Sequence, residues 1–311
     1  MKLIFKASTC KKALLGIIVA ITILQSHAQQ PSLEYNQQIE AWHQNRIDAL
    51  KKPNGWLNLE GLFWLHNGIN TLGTAPQSDC HYINPNPSVQ NFPTYLGDFI
   101  YAGDSVVWQT NRGYEVLVNN EVIKNGRLIT VFSSEDDRVV MKWADYTWTI
   151  VKREDKVGVR FRNLKAINVS SFNGIDRFKV DVKWKIKAKL NPPVQSQLMI
   201  MNVLGQNTAT KNAGKLFFNY KGKEYSLDVI DEGGPLYFIT FADETSDKTT
   251  YGAGRFIEIP KPDANGNTEI DFNKAYNPPC AFTAFATCPL PPPQNRLQIS
   301  ITAGEKKYGH H

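Results

Sequence analysis

The residues with the clearest chemical potential are acids, arginines and amides in the last third of the chain. Two carboxylates a few ångströms apart can divide the roles of general acid and general base, as in glycoside hydrolysis. Arginine and asparagine side chains beside them can orient a polar substrate. The candidate acid and base residues are Asp243, Asp271 and Glu305, and the candidate ligand-binding residues are Tyr251, Arg255, Asn273, Asn277, Asn295 and Arg296.

The same residues also fit a structural role. Asp and Asn beside prolines commonly cap turns, and Arg296 could pair with Asp271 or Glu305 to hold a loop in place. Ion-pair networks of this kind shift pKa values much as active sites do. The sequence therefore leaves a polar binding site and a scaffold both open.

A segment rich in proline and cysteine, residues 278–292, lies among these candidates, and we call it the Pro-Cys segment. Cys280 and Cys288 are candidates for a disulfide, because an oxidising compartment favours the pairing of neighbouring cysteines. A disulfide needs Cα atoms within about 7 Å, whereas an extended segment of this length spans about 25 Å, so the intervening residues must fold back as a loop. Two buried thiols are the alternative, and Cys80 is left over in either case.

Other familiar catalytic and ligand-binding signatures are missing. The sequence contains no Gly-x-Ser-x-Gly elbow, no phosphate-binding loop, no His-Glu-x-x-His motif and no paired Cys-x-x-Cys. Cys80, His81, Cys280 and Cys288 have the side-chain types of a zinc site, but their spacing matches no recognised pattern. We therefore expect no metal and no cofactor, and no local feature predicts Cys280 as a nucleophile.

The elements that must position these residues are mostly β-strands. Apolar residues at helical spacing predict one helix over residues 39–50, which the turn at residues 53–55 ends. Beyond it, apolar residues alternate and turn-forming residues recur, as in short antiparallel strands. The longest alternation, residues 178–190, predicts one strand with a solvated lysine face. We predict a mainly β protein, an antiparallel sandwich or partly closed barrel with one N-terminal helix.

The first residues of the chain have the pattern of an export signal. Lysines precede an apolar run at residues 13–24, and Ser26-His27-Ala28 resembles a small-residue cleavage site. The apolar run is too short to span a bilayer. We expect residues 1–28 to be a cleaved signal peptide and the mature protein to be periplasmic or secreted, without a transmembrane segment. Residues 29–311 are then a single β-rich domain, which could divide into two β subdomains near residues 163–170.

Charge gives little support to a nucleic-acid partner. Cleavage after residue 28 would remove four of the 35 basic residues and none of the 29 acidic ones, so the formal net charge would fall from +6 to +2. Proteins that bind nucleic acid carry a clustered positive surface. We therefore expect no nucleic-acid partner.

A recognisable order of residues runs through most of the mature chain. It consists of Trp42, Arg46, Leu50, Pro53, Gly55-Trp56-Leu57, Leu59, Gly61-Leu62, Trp64-Leu65, Gly68 and Gly73, then Phe241, Asp243, Thr245, Tyr251 and Gly254-Arg255-Phe256, then Asp271-Phe272-Asn273, Tyr276-Asn277-Pro278-Pro279-Cys280-Ala281, Cys288-Pro289, Asn295-Arg296-Leu297 and Gly304-Glu305. This pattern resembles an uncharacterised prokaryotic family known as domain of unknown function 1684. The resemblance implies a whole-chain domain and points to the same C-terminal residues, without supplying a mechanism.

The leading hypothesis is therefore a secreted or periplasmic protein that binds a polar small molecule, a glycan or a protein through the Pro-Cys segment. A carboxylate-dependent hydrolase of a glycan, ester or peptide is the first alternative, and a structural envelope protein is the second. The hydrolase requires a cavity that holds two carboxylates with opposed pKa shifts.

Overall fold

A computed structural model describes residues 32–85, 92–123, 127–133 and 139–309. The predicted signal peptide lies outside these ranges, so cleavage and export stay predictions. The described chain is mostly β-strand, with antiparallel sheets and one long N-terminal helix, which confirms the predicted fold class. Neither α-helix in these ranges combines the length and apolar character that crossing a membrane requires.

Helix α1, Leu33–Lys51, begins six residues before the predicted start and ends one residue after the predicted end. The side chain of Ser32 accepts a hydrogen bond from the N–H of Tyr35 at 3.1 Å, which caps the N-terminus. Pro53 follows the last turn and cannot continue the helix. The helix buries one face, which includes Ile39 and Leu50.

The first β unit consists of two sheets that share one hydrophobic core. One sheet has the order β1-β11-β10-β9-β6-β7 and the other β3-β2-β4-β5-β8. The strands are β1 Leu59–Trp64, β2 Gly68–Gly73, β3 Cys80–His81, β4 Gly97–Ala102, β5 Ser105–Thr110, β6 Val116–Val118, β7 Glu121–Ile123, β8 Leu128–Phe132, β9 Met141–Trp143, β10 Tyr146–Arg153 and β11 Lys156–Asn163.

The second β unit is a single sheet of order β17-β16-β15-β14-β12-β18, with β13 paired to β14. Its two end strands, β17 and β18, also contact each other, so the sheet is nearly closed into a barrel. The strands are β12 Lys185–Asn191, β13 Gln197–Met201, β14 Asn207–Tyr220, β15 Lys223–Ile230, β16 Leu236–Phe241, β17 Arg255–Pro260 and β18 Asn267–Asp271. The short helix α2 is Ile167–Ser170, and 3-10 turns occupy Val182–Trp184, Phe272–Lys274, Pro279–Ala281 and Pro293–Asn295.

The two β units have separate cores. The buried residues of the first core lie within residues 65–161, and those of the second lie within residues 184–303. A smaller cluster joins them, in which Leu50 and Leu57 pack with Phe172, Ala281 and Phe282. Helix α1 and the Pro-Cys segment therefore connect the units, and a division into subdomains near residues 163–170 stays a prediction.

The alternation at residues 178–190 produces a shorter strand than predicted. The carboxylate of Asp181 accepts the N–H of Lys183 and starts the turn Val182–Trp184, so strand β12 begins only at Lys185. Asn273 fixes this point from another part of the chain by accepting the N–H of Asp181 at 3.0 Å. A side chain that is distant in sequence therefore interrupts a pattern that is locally regular.

Candidate functional site

The Pro-Cys segment packs between the two β units. The hydroxyl of Thr283 donates to the carbonyl of Leu59 in the first unit at 2.8 Å. The N–H of Leu290 donates to the carbonyl of Met201 in the second unit at 2.7 Å. Phe282, the residue before Thr283, is buried. The segment is therefore a wedge, and its residues contribute to the cavities on either side of it.

Asp243 and Arg255 form an ion pair in the interior of the second β unit. Their charged atoms lie 2.6 Å apart, and the side chains are 0% and 1% exposed. Arg255 also donates to the carbonyls of Ile301 at 3.0 Å and Ala303 at 2.5 Å, and Asp243 accepts the N–H and hydroxyl of Thr245. Both charges are compensated inside the protein, where they hold the C-terminal chain against the sheet.

Glu305 is a second buried acid, and helix α1 supplies its partner. One oxygen of the carboxylate accepts the N–H of Asn277 at 2.7 Å, and the other lies 3.5 Å from Nε of Arg46. Arg46 also donates to the carbonyl of Asn277 at 2.8 Å. Burial raises the pKa of Glu305, and the positive charge of Arg46 opposes that rise. Gly304 precedes it with φ +75°, where a Cβ would lie 2.4 Å from the carbonyl oxygen of Ala275.

Asp271 and Asn273 belong to a third network, at the start of helix α1. The hydroxyl of Tyr35 donates to the carboxylate of Asp271 at 2.8 Å. The amide nitrogen of Asn273 donates to the same carboxylate at 3.0 Å and to the carbonyl of Asp181 at 2.9 Å. These contacts fasten the helix to the end of strand β18.

Asn295 and Arg296 are neighbours with different surroundings. Asn295 is buried, accepts the N–H of Asp228 at 2.7 Å, and donates to the carbonyls of Asp228 and Thr240. Arg296 is exposed and forms no ion pair with any residue in the described ranges. The pairing of Arg296 with Asp271 or Glu305, which the scaffold interpretation suggested, is therefore not found.

The predicted site residues are thus divided among separate networks. Asp243 with Arg255, Glu305 with Asn277, and Asp271 with Asn273 are internal contacts, and none of these three carboxylates lines the cavities described below. The networks of Asp243 and Glu305 adjoin, because both carboxylates act electrostatically on Arg255, whereas Asp271 is held by Tyr35 and Asn273.

Cys80, Cys280 and Cys288 are free thiols in the structure, so the predicted Cys280–Cys288 disulfide is not formed. The fold-back that it requires is present, because the N–H of Cys280 donates to the sulfur of Cys288 at 3.1 Å. Cys80 lies in the core of the first β unit. Within the described ranges, no three or more His, Cys, Asp and Glu side chains are grouped as a metal site would require.

The candidate site is a cavity of about 380 Å³ between helix α1, both β units and the Pro-Cys segment, and we call it the arginine cavity. Three arginines from different elements reach it: Arg46 from α1, Arg153 from β10 and Arg160 from β11. Its remaining lining consists of Trp56, Glu232, Phe238, Phe256, Glu258, Tyr276, Pro279 and residues 286–289.

Aromatic rings orient two of these arginines. The guanidinium carbon of Arg46 lies 4.6 Å from the ring centroid of Tyr276, and that of Arg160 lies 5.3 Å from the ring centroid of Trp56. Contacts of this kind are attractive because the ring face is electronegative. The cavity therefore presents cations whose positions are fixed by packing.

Two glutamates give the same cavity a negative side. Loss of hydration raises the pKa of Glu232, and the negative charge of Glu258 adds to the rise. Glu258 accepts a hydrogen bond from the hydroxyl of Tyr276 at 3.4 Å. A ligand in this cavity would meet positive groups, carboxylates and aromatic faces together.

Comparison with known proteins identifies part of the chain. Residues 170–306 match the family model described as "Protein of unknown function (DUF1684)". The chain is similar to that family over this segment. The resemblance inferred from the sequence is confirmed over these residues, whereas its part between residues 42 and 73 lies outside the match.

No curated protein matches the chain. Among solved structures, the solution NMR structure of an uncharacterised protein of Haloarcula marismortui is similar, with 28% identity and a TM-score of 0.37 over 44% of this chain and 78% of that chain. In the present chain, the DUF1684 segment contributes the glutamates, Tyr276 and the Pro-Cys segment to the arginine cavity, and all three arginines lie before it.

Sequence reasoning missed the arginines of the cavity, although one of them carried a usable signal. Ile39, His43 and Leu50 form the buried face of helix α1, and Arg46 falls at helical spacing between the last two. A charged residue on an apolar stripe needs a partner inside the protein. Arg153 and Arg160 lie in regular strands before the DUF1684 segment and carried no such signal.

Proposed function

We propose that the protein is an exported binding protein for a small organic anion, which it holds in the arginine cavity. The observation that carries the proposal is the meeting of Arg46, Arg153 and Arg160 beside aromatic faces in one concave site. Ligand sites are typically concave and contain a few polar groups that fix the orientation of the ligand. The export part of the proposal is supported by the signal-peptide pattern of residues 1–28.

The chemistry of the lining narrows the class of ligand. A guanidinium group can hold a carboxylate through two parallel hydrogen bonds. The rings of Trp56 and Tyr276 offer flat surfaces to a sugar or aromatic ring. Glu232 and Glu258 can accept hydrogen bonds from hydroxyl groups on the far side of the ligand. A carboxylic acid with a cyclic, hydroxylated body fits all three features.

Thermal unfolding in the presence of glucuronate and benzoate tests this proposal. A ligand present at 100 times its Kd should stabilise the native protein by about 2.7 kcal/mol. Arg153→Gln should reduce the saturable rise in Tm, because Arg153 is exposed and its replacement removes a cation from the cavity without disturbing the core.

Lys152→Gln is the matched control. Lys152 is the neighbouring exposed cation, lies 3.5 Å from Asp104 and is not part of the cavity lining, so its replacement should leave the rise in Tm unchanged. An equal response of both variants, or no rise with either acid, would contradict the proposed site. The absence of any saturable rise is what a structural envelope protein predicts.

A carboxylate-dependent hydrolase is the second candidate. In the arginine cavity, its acid and base would be different residues from those predicted from the sequence. Asp243 and Glu305 are each paired with an arginine in the protein interior and do not line the cavity, whereas Glu232 and Glu258 share it. The raised pKa of Glu232 suits a general acid, and Glu258 would serve as base or nucleophile.

Assays with p-nitrophenyl glycosides and esters distinguish the hydrolase from the binding protein. If the cavity is catalytic, Glu232→Gln and Glu258→Gln should each lower kcat by about 10²-fold or more, without abolishing ligand binding. Glu269→Gln is a suitable control, because this glutamate pairs with Lys185 on strand β12, away from the cavity. Turnover that survives in both cavity variants would remove these residues from the reaction.

A further inference from the structure

Cys280 and Cys288 are a second feature of the Pro-Cys segment, and the proposed binding function does not use their chemistry. Cys280 lies in the turn Pro279–Ala281, and residues 281–287 fold back to bring Cys288 beside it. The N–H of Cys280 donates to the sulfur of Cys288, and the two thiols also hydrogen-bond each other. The fold-back that a disulfide between them requires is therefore already present.

The chain around the pair is anchored at several points. Thr283 donates to the carbonyl of Leu59 in the first β unit. The carbonyl of Cys288 accepts the N–H of Val203 at 3.0 Å in the second unit. The hydroxyl of Tyr251 donates to the carbonyl of Cys280 at 3.1 Å. The fold itself therefore holds the two sulfur atoms together without a covalent bond.

The two cysteines differ in their access to solvent. Cys288 is 3% exposed, whereas Cys280 is partly exposed and lines a second cavity of about 680 Å³. Aromatic residues surround Cys280 there, namely Tyr251, Phe282, Phe285 and Tyr308. A reagent that enters this cavity meets Cys280, whereas Cys288 lines the arginine cavity instead.

The hydrogen bond between the thiols makes them chemically unequal. The thiol of Cys288 stabilises the thiolate of Cys280 and lowers the pKa of Cys280. The neighbouring sulfur and the loss of hydration raise the pKa of Cys288. Cys80 provides a contrast within the same chain, because burial raises its pKa to about 12. Cys280 is thus the thiol best prepared to attack.

We propose that Cys280 and Cys288 form a reversible dithiol–disulfide site that reduces small-molecule disulfides entering the cavity beside Cys280. The Cys280 thiolate attacks one sulfur of the ligand, the ligand disulfide breaks, and its other sulfur leaves as a thiolate that takes up the proton lost by Cys280. Cys288 then attacks the Cys280 sulfur of the mixed disulfide, and the rest of the ligand leaves as a thiol with the proton of Cys288. Two electrons pass to the ligand, and a small dithiol reverses the change in the protein.

Reaction of the reduced full-length protein with oxidised glutathione, followed by alkylation and peptide mass mapping, tests this proposal. The native chain should acquire a Cys280–Cys288 bond and release two equivalents of glutathione thiol. Cys80 should remain a free thiol and be recovered in its alkylated form. Cys288→Ser should stop at a glutathione adduct on Cys280. Cys280→Ser should react at least about tenfold more slowly, because the two thiols that it retains, Cys80 and Cys288, are both buried.

Cys80→Ser is the matched control and should behave as the native chain does. Three results would overturn the proposal: an adduct on Cys80 that forms as fast as the reaction at Cys280, a Cys280→Ser variant that keeps the native rate, or separate glutathione adducts on both cysteines without an internal bond. The mapping of the native chain decides the matter even if a serine variant does not fold. None of these results depends on whether an organic acid binds the arginine cavity.

Discussion

Replacing Arg255 with methionine should lower the free energy of unfolding by about 3–5 kcal/mol, the usual cost of leaving a buried charge without its partner. Methionine occupies much of the same space but donates no hydrogen bonds. The Asp243 carboxylate would remain inside the protein with only the Thr245 donors and a longer contact to the N–H of Ile301. The carbonyls of Ile301 and Ala303 would lose the donors that Arg255 supplies. Urea unfolding followed by tryptophan fluorescence measures the loss.

Arg296→Met provides the matched control, because it makes the same chemical change at an exposed arginine in the same half of the protein. Its effect should stay within about 0.5 kcal/mol. Adding Asp243→Asn to the Arg255→Met variant should recover part of the lost stability, because an amide costs less to bury than an unpaired carboxylate. Equal urea midpoints for the Arg255 and Arg296 variants would show that the buried pair does not hold the fold together.

The fold was predictable wherever local pattern decides structure. Strands β8 and β16 coincide with short runs rich in branched and aromatic residues, a composition typical of strands. Residues 297–302 have the apolar pattern of a strand but form none, although Leu297 and Ile301 are buried as a strand would require. The carboxylate and guanidinium of the Asp243–Arg255 pair contact the backbone of Ile301. At this position, side chains and not a paired strand supply hydrogen-bond partners to the backbone. The local sequence pattern does not reveal such partners.

The candidate site was less predictable, because its contacts join distant parts of the sequence. The Pro-Cys segment could be singled out from its composition, and it lines both cavities. Which acid pairs with which arginine could not be deduced, since the partner of Glu305 is Arg46 on helix α1, far away in the sequence. Residue type indicated that the charges need partners, but the partners depend on how helix α1 crosses the junction of the two β units.

Replacing Arg46 with methionine should destabilise the protein by about 3 kcal/mol at neutral pH, near the lower end of the range for buried pairs, because Arg46 is 15% exposed. The loss should also depend on pH. Burial raises the native pKa of Glu305 above the ordinary value of 4.5, and Arg46 restrains that rise. Without Arg46 the native pKa of Glu305 should lie still higher.

The direction of this pH dependence follows from proton linkage. A carboxyl whose native pKa is raised contributes stability below its unfolded pKa and loses that contribution as the pH rises through its native pKa. The stability difference between the native chain and the Arg46 variant should therefore be smallest near about pH 4 and grow toward about pH 8. Urea unfolding at a series of pH values measures this difference.

Glu305→Gln, introduced into the Arg46→Met variant, isolates the acid that causes the pH dependence. Glutamine keeps an oxygen to accept the N–H of Asn277 but has no proton to lose. The double variant should therefore lose the additional pH dependence and, near about pH 8, be more stable than Arg46→Met alone. If the single and double variants keep the same slope, another group titrates and Glu305 is not the acid that Arg46 restrains. If the stability difference between the native chain and the Arg46→Met variant does not change with pH, Arg46 stabilises the junction by packing on Tyr276 and not through its charge.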